Sequence, residues 1–225
     1  MPFASGSVLP LAISTAAMGL YPSARLGLPL PQATKPESAN KVLLVWGGSS
    51  SCGSAAIQLA VASGVTVIST ASAKNHESVK SLGATAVLDY NDPNIVQDLV
   101  DLMKQTPGEP AGALDVIGDK ETWRTCADVL LAIGGGRVAT NLPMIDSADV
   151  PDGVEVVGVS DTAYIAEYPE IVESVWGRFV PEALRNGSLK PVPEPVVVGK
   201  GLEKIADGIA LGLKGVSAAK LVVEL

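Results

Sequence analysis

The sequence contains few of the residues that build metal sites, disulfide frameworks or nucleic-acid surfaces. Its 225 residues include one histidine, His76, and two cysteines, Cys52 and Cys126, which lie far apart. A catalytic zinc needs about three good ligands, so we expect no metal site and no disulfide framework. The net charge is −8 and no run of Lys or Arg exceeds two residues, so we expect no nucleic-acid partner.

Aromatic and charged residues are also scarce, at 4% and 18%, whereas 47% of the residues are hydrophobic. This composition is typical of a parallel sheet whose strands are covered on both faces. The opening segment Met1–Leu20 is mildly apolar, lacks a basic start and is interrupted by Ser and Thr. It predicts a buried helix rather than a signal peptide or a membrane span. We therefore expect a cytoplasmic protein with no membrane partner.

The most informative segment is Lys41–Gly53, with the sequence KVLLVWGGSSSCG. A short apolar run is followed by small residues and then by the start of a helix, which is how a parallel strand enters a phosphate-binding turn. If Gly53 is the third glycine of a G-x-G-x-x-G pattern, Gly48 is the first and Ser50 takes the second position. Such a turn also occurs in ordinary strand-to-helix connections. The prediction of a nucleotide site therefore needs support from the flanking segments.

The support comes from Ser69–Asn75, at the end of the next apolar run, where a dinucleotide fold reads the adenosine ribose. NAD-binding chains usually place Asp or Glu there. This chain has Ser72, Lys74 and Asn75 and no acid in the segment. A lysine beside small hydroxyls suits a 2′-phosphate with nothing to repel it, so the segment predicts NADP(H) rather than NAD.

Strands and helices are predicted in alternation along the chain. The predicted elements are strand Lys41–Trp46, helix Ser54–Ser63, strand Val65–Thr70, helix Asn75–Leu82, strand Ala86–Asp89, helix Pro93–Gln105, strand Leu114–Ile117, helix Glu121–Leu131, strand Gly136–Thr140, strand Val154–Ser160, helix Glu170–Asn186, an extended run Leu189–Val198, helix Gly201–Leu213 and strand Lys220–Leu225. This order predicts an α/β fold, a doubly wound parallel sheet of the Rossmann type. Asp115 ends an apolar strand at the edge where ligands bind, or alternatively caps the next helix.

Six motifs follow one another along nearly the whole chain: VLPLAISTAAMGLY (Val8–Tyr21), VLLVWGGSSSCGSAAIQLA (Val42–Ala60), SAKNHESVKSLGA (Ser72–Ala84), LDYNDP (Leu88–Pro93), SVWGRFVPEAL (Ser174–Leu184) and VVVGKGLEKIADGI…KGVSAAKLVV (Val196–Val223). With these motifs the chain resembles the medium-chain dehydrogenase/reductase superfamily. Within it, the chain resembles the fungal zinc-independent branch of quinone-oxidoreductase-like proteins and trans-acting enoyl reductases.

The resemblance implies roles for individual residues along a bound NADP(H). Implied are Gly48, Ser50, Ser51, Cys52 and Gly53 at the diphosphate turn, Ser72, Lys74 and Asn75 at the 2′-phosphate, Tyr90 at the adenosine, Leu142 at the nicotinamide end, Val216 and Ser217 at the far edge of the groove, and Thr15 near nicotinamide and substrate as the catalytic candidate.

The resemblance also implies a division of the chain. Residues 1–40 form a helix and linker that pack on the nucleotide domain, 41–188 form that domain, and 189–225 return toward a GroES-like lobe. Family members carry that lobe at the N-terminus, where it forms most of the substrate pocket, and we expect it to be absent here. The tail strands Val196–Val198 and Leu221–Val223 are then expected to pair with each other. Strand Val154–Ser160 is expected to join two subunits into a homodimer.

Three functions stay open at this point. The first is reduction of an activated alkene or carbonyl of a small molecule by NADP(H), in fungal secondary metabolism. The second is a non-redox natural-product enzyme, an isomerase, dehydratase or cyclase that reuses the nucleotide groove. The third is a protein that senses NADPH or docks on a synthase.

Overall fold

The computed structural model describes residues 1–141, 145–159 and 164–225, and in these residues six parallel strands form one sheet. They are β1 (Lys41–Trp46), β2 (Thr66–Thr70), β3 (Ala86–Leu88), β4 (Glu109–Asp115), β5 (Gly136–Thr140) and β6 (Val154–Gly158). Their order across the sheet is β3-β2-β1-β4-β5-β6. This is the strand order of the doubly wound dinucleotide fold, so the predicted fold class is confirmed.

The described residues also form helices, and those that pack against this sheet cover both of its faces. The helix bounds are α1 (Phe3–Ser7), α2 (Pro10–Leu20), α3 (Ser51–Ala62), α4 (His76–Lys80), α5 (Ile95–Gln105), α6 (Lys120–Ala132), α7 (Tyr164–Glu167), α8 (Pro169–Val172), α9 (Val180–Asn186) and α10 (Ile205–Leu213). Strand β1 shows why both faces are covered. Leu43 and Val45 pack with α2 and α3, whereas Leu44 and Trp46 pack with α5 and α6. Successive side chains of a strand point to opposite faces, so a fully apolar strand needs two cores.

Several predicted boundaries differ from the structure, and two of them differ for clear local reasons. The helix expected at Ser54–Ser63 begins at Ser51, because the Ser50 hydroxyl accepts the Gly53 amide and caps the helix at 3.1 Å. The strand expected at Leu114–Ile117 is Glu109–Asp115. The first half of this strand contains Pro110 and Gly112, two residues that argue against a strand in a sequence. Gly112 has a φ of 111° and lies at an irregularity in the pairing with β1.

The helix predicted at Glu170–Asn186 is continuous in space but changes its hydrogen bonding. A π-helical stretch, Glu173–Phe179, separates α8 from α9. Pro181 lies in the first turn of α9, where its missing N–H interrupts the regular ladder. The predicted end at Asn186 is confirmed, and Gly187 caps the helix with a left-handed φ of 79°.

The N-terminal segment Phe3–Leu20 has the length and apolar composition of a membrane-crossing helix, and 50% of it is buried inside the fold. Ile13, Ala17 and Leu20 are fully buried in the same core as α3. This packing makes α2 a core helix, as the sequence predicts, whereas α1 has no buried residue.

The tail forms a second, two-stranded sheet of β7 (Glu194–Lys200) and β8 (Ala219–Glu224), joined by α10. Val196 pairs with Leu221 and Val197 with Val222, so the predicted mutual pairing of the tail strands is confirmed. Helix α10 has no buried residue among those described. The tail is therefore attached to the rest of the protein through few buried contacts.

Candidate functional site

The turn between β1 and α3 is close-packed and depends on glycine. Gly47 has a φ of 86°, and the Gly48 amide donates to the Thr70 carbonyl at 2.8 Å. A methyl group on Gly48 would overlap the Ser69 hydroxyl, and one on Gly53 would overlap the Gly47 carbonyl. The predicted glycines Gly48 and Gly53 therefore allow helix and strand to meet, whereas the sequence pattern missed Gly47.

Helix α3 points its N-terminus at this turn. Ser50 is its capping residue, and Ser51 and Cys52 occupy its first turn. The Ser54 hydroxyl donates to the Gly48 carbonyl at 3.2 Å, which fixes the helix against the turn. First-turn amides and the helix dipole favour an anion at this end of a 12-residue helix.

A cavity of about 580 Å³ opens beside this helix end, between the carboxyl ends of β1 and β4. The strand order reverses at this point, which is where doubly wound sheets bind ligands. The lining residues are Trp46, Gly47, Ser49, Ser50, Ser72, Asn75, Tyr90, Ile95, Ile117, Glu121, Thr122, Thr125, Val216, Ser217 and Ala218.

Six of the predicted site residues meet in this cavity: Ser50, Ser72, Asn75, Tyr90, Val216 and Ser217. They come from four separate parts of the chain. The Asn75 side chain joins two of these parts, because its Nδ2 donates to Ser72 Oγ and to Ser217 Oγ, each at 3.1 Å. The loop before β8 is thereby held against the loop after β2.

The other predicted residues do not line the cavity among the residues that the structure describes. Gly48, Ser51, Cys52 and Gly53 lie behind it in the turn and in α3, and Lys74 is exposed beside Asn75. Thr15 is half-buried on α2. Leu142 lies outside the described residues.

The sequence missed the cavity wall formed by Glu121, Thr122 and Thr125 of α6. The sequence does contain one signal for this wall: α6 directly follows β4, and β4 neighbours β1 in the sheet.

The expectation that nothing at the segment Ser69–Asn75 would repel a 2′-phosphate is wrong. Asp89, at the end of β3, accepts the Ala73 amide on Oδ2 at 3.3 Å. The Asn91 amide donates to its Oδ1 at 2.9 Å, and this bond is the main reason why the pKa of Asp89 lies below its ordinary value. Backbone amides therefore hold this carboxylate against Ala73, and the pairing of β2 with β3 brings it there.

Asp115 neither faces the cavity nor caps α6. It is fully buried, and it accepts from the hydroxyls of Thr140 at 2.7 Å and Thr122 at 3.0 Å and from the amides of Ile117 and Gly118. Burial raises the pKa of Asp115 above the ordinary value. The four donors act in the opposite direction, but the effect of burial is larger. Asp115 therefore fixes the loop that carries Ile117 into the cavity, while Asp119 provides the helix cap.

Comparison with known proteins gives consistent matches. A family model described as zinc-binding dehydrogenase matches residues 52–147. The chain is 40% identical over 225 residues to the trans-enoyl reductase himH of Aspergillus japonicus, covering 100% of this chain and 63% of that protein. It is 37% identical over 235 residues to the dehydrogenase orsE of Emericella nidulans, covering 99% and 65%. The chain thus spans less than two thirds of these relatives' length.

Among solved structures, the CurK enoyl reductase matches with a TM-score of 0.72 at 18% identity, covering 100% of this chain and 63% of that chain. At this identity the likeness shows the fold alone.

The zinc in the family description does not fit the residues that the structure describes. No group of three or more His, Cys, Asp or Glu side chains is arranged there to hold a metal ion. His76 bonds through Nε2 to the Ala71 carbonyl at 3.0 Å, and Cys126 is buried in the core. A zinc site needs three or four converging ligands, which the described residues do not provide.

Proposed function

Because this chain belongs to the medium-chain dehydrogenase/reductase superfamily, with fungal trans-enoyl reductases and dehydrogenases as relatives, we propose that it binds NADP(H) and acts as a reductase of an activated alkene or carbonyl. The observation that carries the proposal is the cavity at the reversal of strand order, with the end of α3 on one side and the hydroxyls of Ser72 and Ser217 on the other.

The α3 end of the cavity supports binding of the cofactor diphosphate. Ser50 accepts the Gly53 amide, so its own O–H proton remains to donate to a ligand. Gly47 lines the cavity, where a methyl group would meet the Ile117 side chain. We therefore assign the diphosphate to the α3 end, and the adenosine to the side of Tyr90 and Ile95.

The choice of NADP(H) over NAD(H) rests on Lys74, which is exposed and lies two positions after Ser72 in the chain. The nearby Asp89 opposes a 2′-phosphate, but its oxygens already accept two backbone amides. A charge-assisted hydrogen bond is worth about 1.5–3 kcal/mol, enough for Lys74 to decide the preference.

The reaction itself depends on the cofactor, because a reduced nicotinamide supplies a hydride when it is bound. The chain's residues bind and orient it. Thr15 is the candidate hydroxyl for the charge that develops on the substrate oxygen. We propose a small-molecule substrate of fungal secondary metabolism.

The test of this proposal compares Lys74→Ala with the parent in titrations of NADPH and NADH. We expect at least tenfold weaker NADPH binding and unchanged NADH binding, since only NADPH carries the 2′-phosphate. Lys80→Ala is the matched control, because Lys80 is also exposed but pairs with Glu77 at 3.1 Å. Equal affinities of the parent for the two cofactors would refute the NADP(H) assignment.

A further inference from the structure

The side-chain amide of Asn75 has only two N–H protons, and both are used inside the protein. One is donated to Ser72 Oγ and the other to Ser217 Oγ, each at 3.1 Å. No donor remains on this amide for a phosphate, and its Oδ1 is an acceptor that an anion avoids. Asn75 therefore has a different task from the phosphate ligands around it.

These two hydrogen bonds orient the hydroxyl groups of Ser72 and Ser217. A serine hydroxyl accepts on its lone pairs and donates one proton. Because Ser72 and Ser217 each accept from Asn75, each keeps its O–H proton for another acceptor. Both residues line the cavity, so two segments of the chain offer one O–H proton each to the same ligand.

The segment that carries Ser217 is otherwise weakly anchored. Helix α10, which precedes it, has no buried residue among those described. Ala218 has a φ of 49°, a conformation that a non-glycine residue keeps only where its surroundings fix it. The bond from Asn75 to Ser217 spans 142 positions of sequence and ties this loop to the nucleotide domain.

We propose that Asn75 is a positioning residue: it docks the loop Lys214–Ala218 onto the cavity and aims the hydroxyls of Ser72 and Ser217 at one bound nucleotide. The inference deepens the proposed function and rests on it. Linkage makes the effect reciprocal. If docking of the loop strengthens nucleotide binding by some factor, the bound nucleotide must stabilise the docked loop by the same factor.

The test is a double-mutant cycle of Asn75→Ala and Ser217→Ala, read by NADPH titration and by amide hydrogen exchange of residues 214–219 in the presence and absence of NADPH. We expect each single variant to bind NADPH about tenfold more weakly, and the double variant no more than about twofold more weakly than the worse single one. In the parent, NADPH should slow exchange of the loop about tenfold, and Asn75→Ala should abolish this protection.

The matched control is Asn186→Ala. The Asn186 amide also bridges distant segments, donating to the Ala33 carbonyl at 2.9 Å, but it does not line the cavity. This variant should bind NADPH like the parent and keep the protection of the loop.

The outcomes separate the two proposals. A parent that binds NADPH, with Asn75→Ala binding equally well or with additive losses in the double variant, overturns the positioning role and leaves the proposed function standing. A parent that takes up no NADPH overturns the proposed function and the positioning role together.

Discussion

Replacing Gly53 by alanine tests whether the turn between β1 and α3 is as close as the structure shows. A methyl group at this position would overlap the Gly47 carbonyl and lie 2.8 Å from Gly48 Cα. Both obstacles are backbone atoms, so no side chain can rotate away. The end of α3 would have to move by about 1 Å to restore ordinary contact, and overpacking of this kind costs about 1–3 kcal/mol.

The displacement should also reach the ligand. Because the α3 end carries the Ser50 cap and the first-turn amides, we expect Gly53→Ala to weaken NADPH binding at least tenfold as well as lowering the free energy of unfolding. Urea denaturation and fluorescence titration of NADPH measure the two effects on the same samples.

Gly208→Ala is the matched control. Gly208 is also helical, in α10, and the nearest atom to an added methyl would be Val223 Cγ2 at 3.7 Å, an ordinary contact. Alanine is the better helix former, so this variant should gain about 0.5–1 kcal/mol and bind NADPH like the parent. Parental stability and parental NADPH affinity of Gly53→Ala would refute the close-turn argument.

Two further predictions concern the buried acid and the edge strand. Because burial raises the pKa of Asp115, the folded chain holds this proton more tightly than the unfolded chain, so the contribution of Asp115 to stability falls as pH rises from the ordinary aspartate pKa through the raised one. The unfolding free energy of the parent minus that of Asp115→Asn should therefore decline over that window in acid-range denaturation curves, and an increase would contradict the raised pKa. Val157→Lys, on the edge strand β6, should convert a dimer into monomers or insoluble protein in sedimentation velocity, and a monomeric parent would rule out this interface.

The sequence predicts the nucleotide half of the fold well because its signals are local. The apolar run of β1, the glycines of the turn and the start of α3 lie within about twenty consecutive residues, and each agrees with the next. Strand β4 was misplaced because Pro110 and Gly112 hide an extended segment that the neighbouring strand β1 holds in place.

Part of the candidate site is also predictable from local sequence signals. Ser50, Ser72, Asn75, Tyr90 and Ser217 follow from motifs and do meet in one cavity. No local sequence pattern shows which contacts bring these residues together. The Asn75 amide reaches Ser217 across 142 positions, and Asp89 reaches the segment Ser69–Asn75 because β3 pairs with β2. Such contacts arise from tertiary packing, which acts between elements rather than along the chain.

We propose that NADPH binds in the cavity between the α3 end and the loop Lys214–Ala218. Addition of NADPH to isotope-labelled protein, followed by amide chemical shifts, tests it most directly. We expect the largest shifts at residues 47–53, 72–75 and 215–218, saturating with one equivalent, and smaller shifts with NADH at the same concentration. Absence of shifts, or shifts centred away from these three segments, would contradict the account.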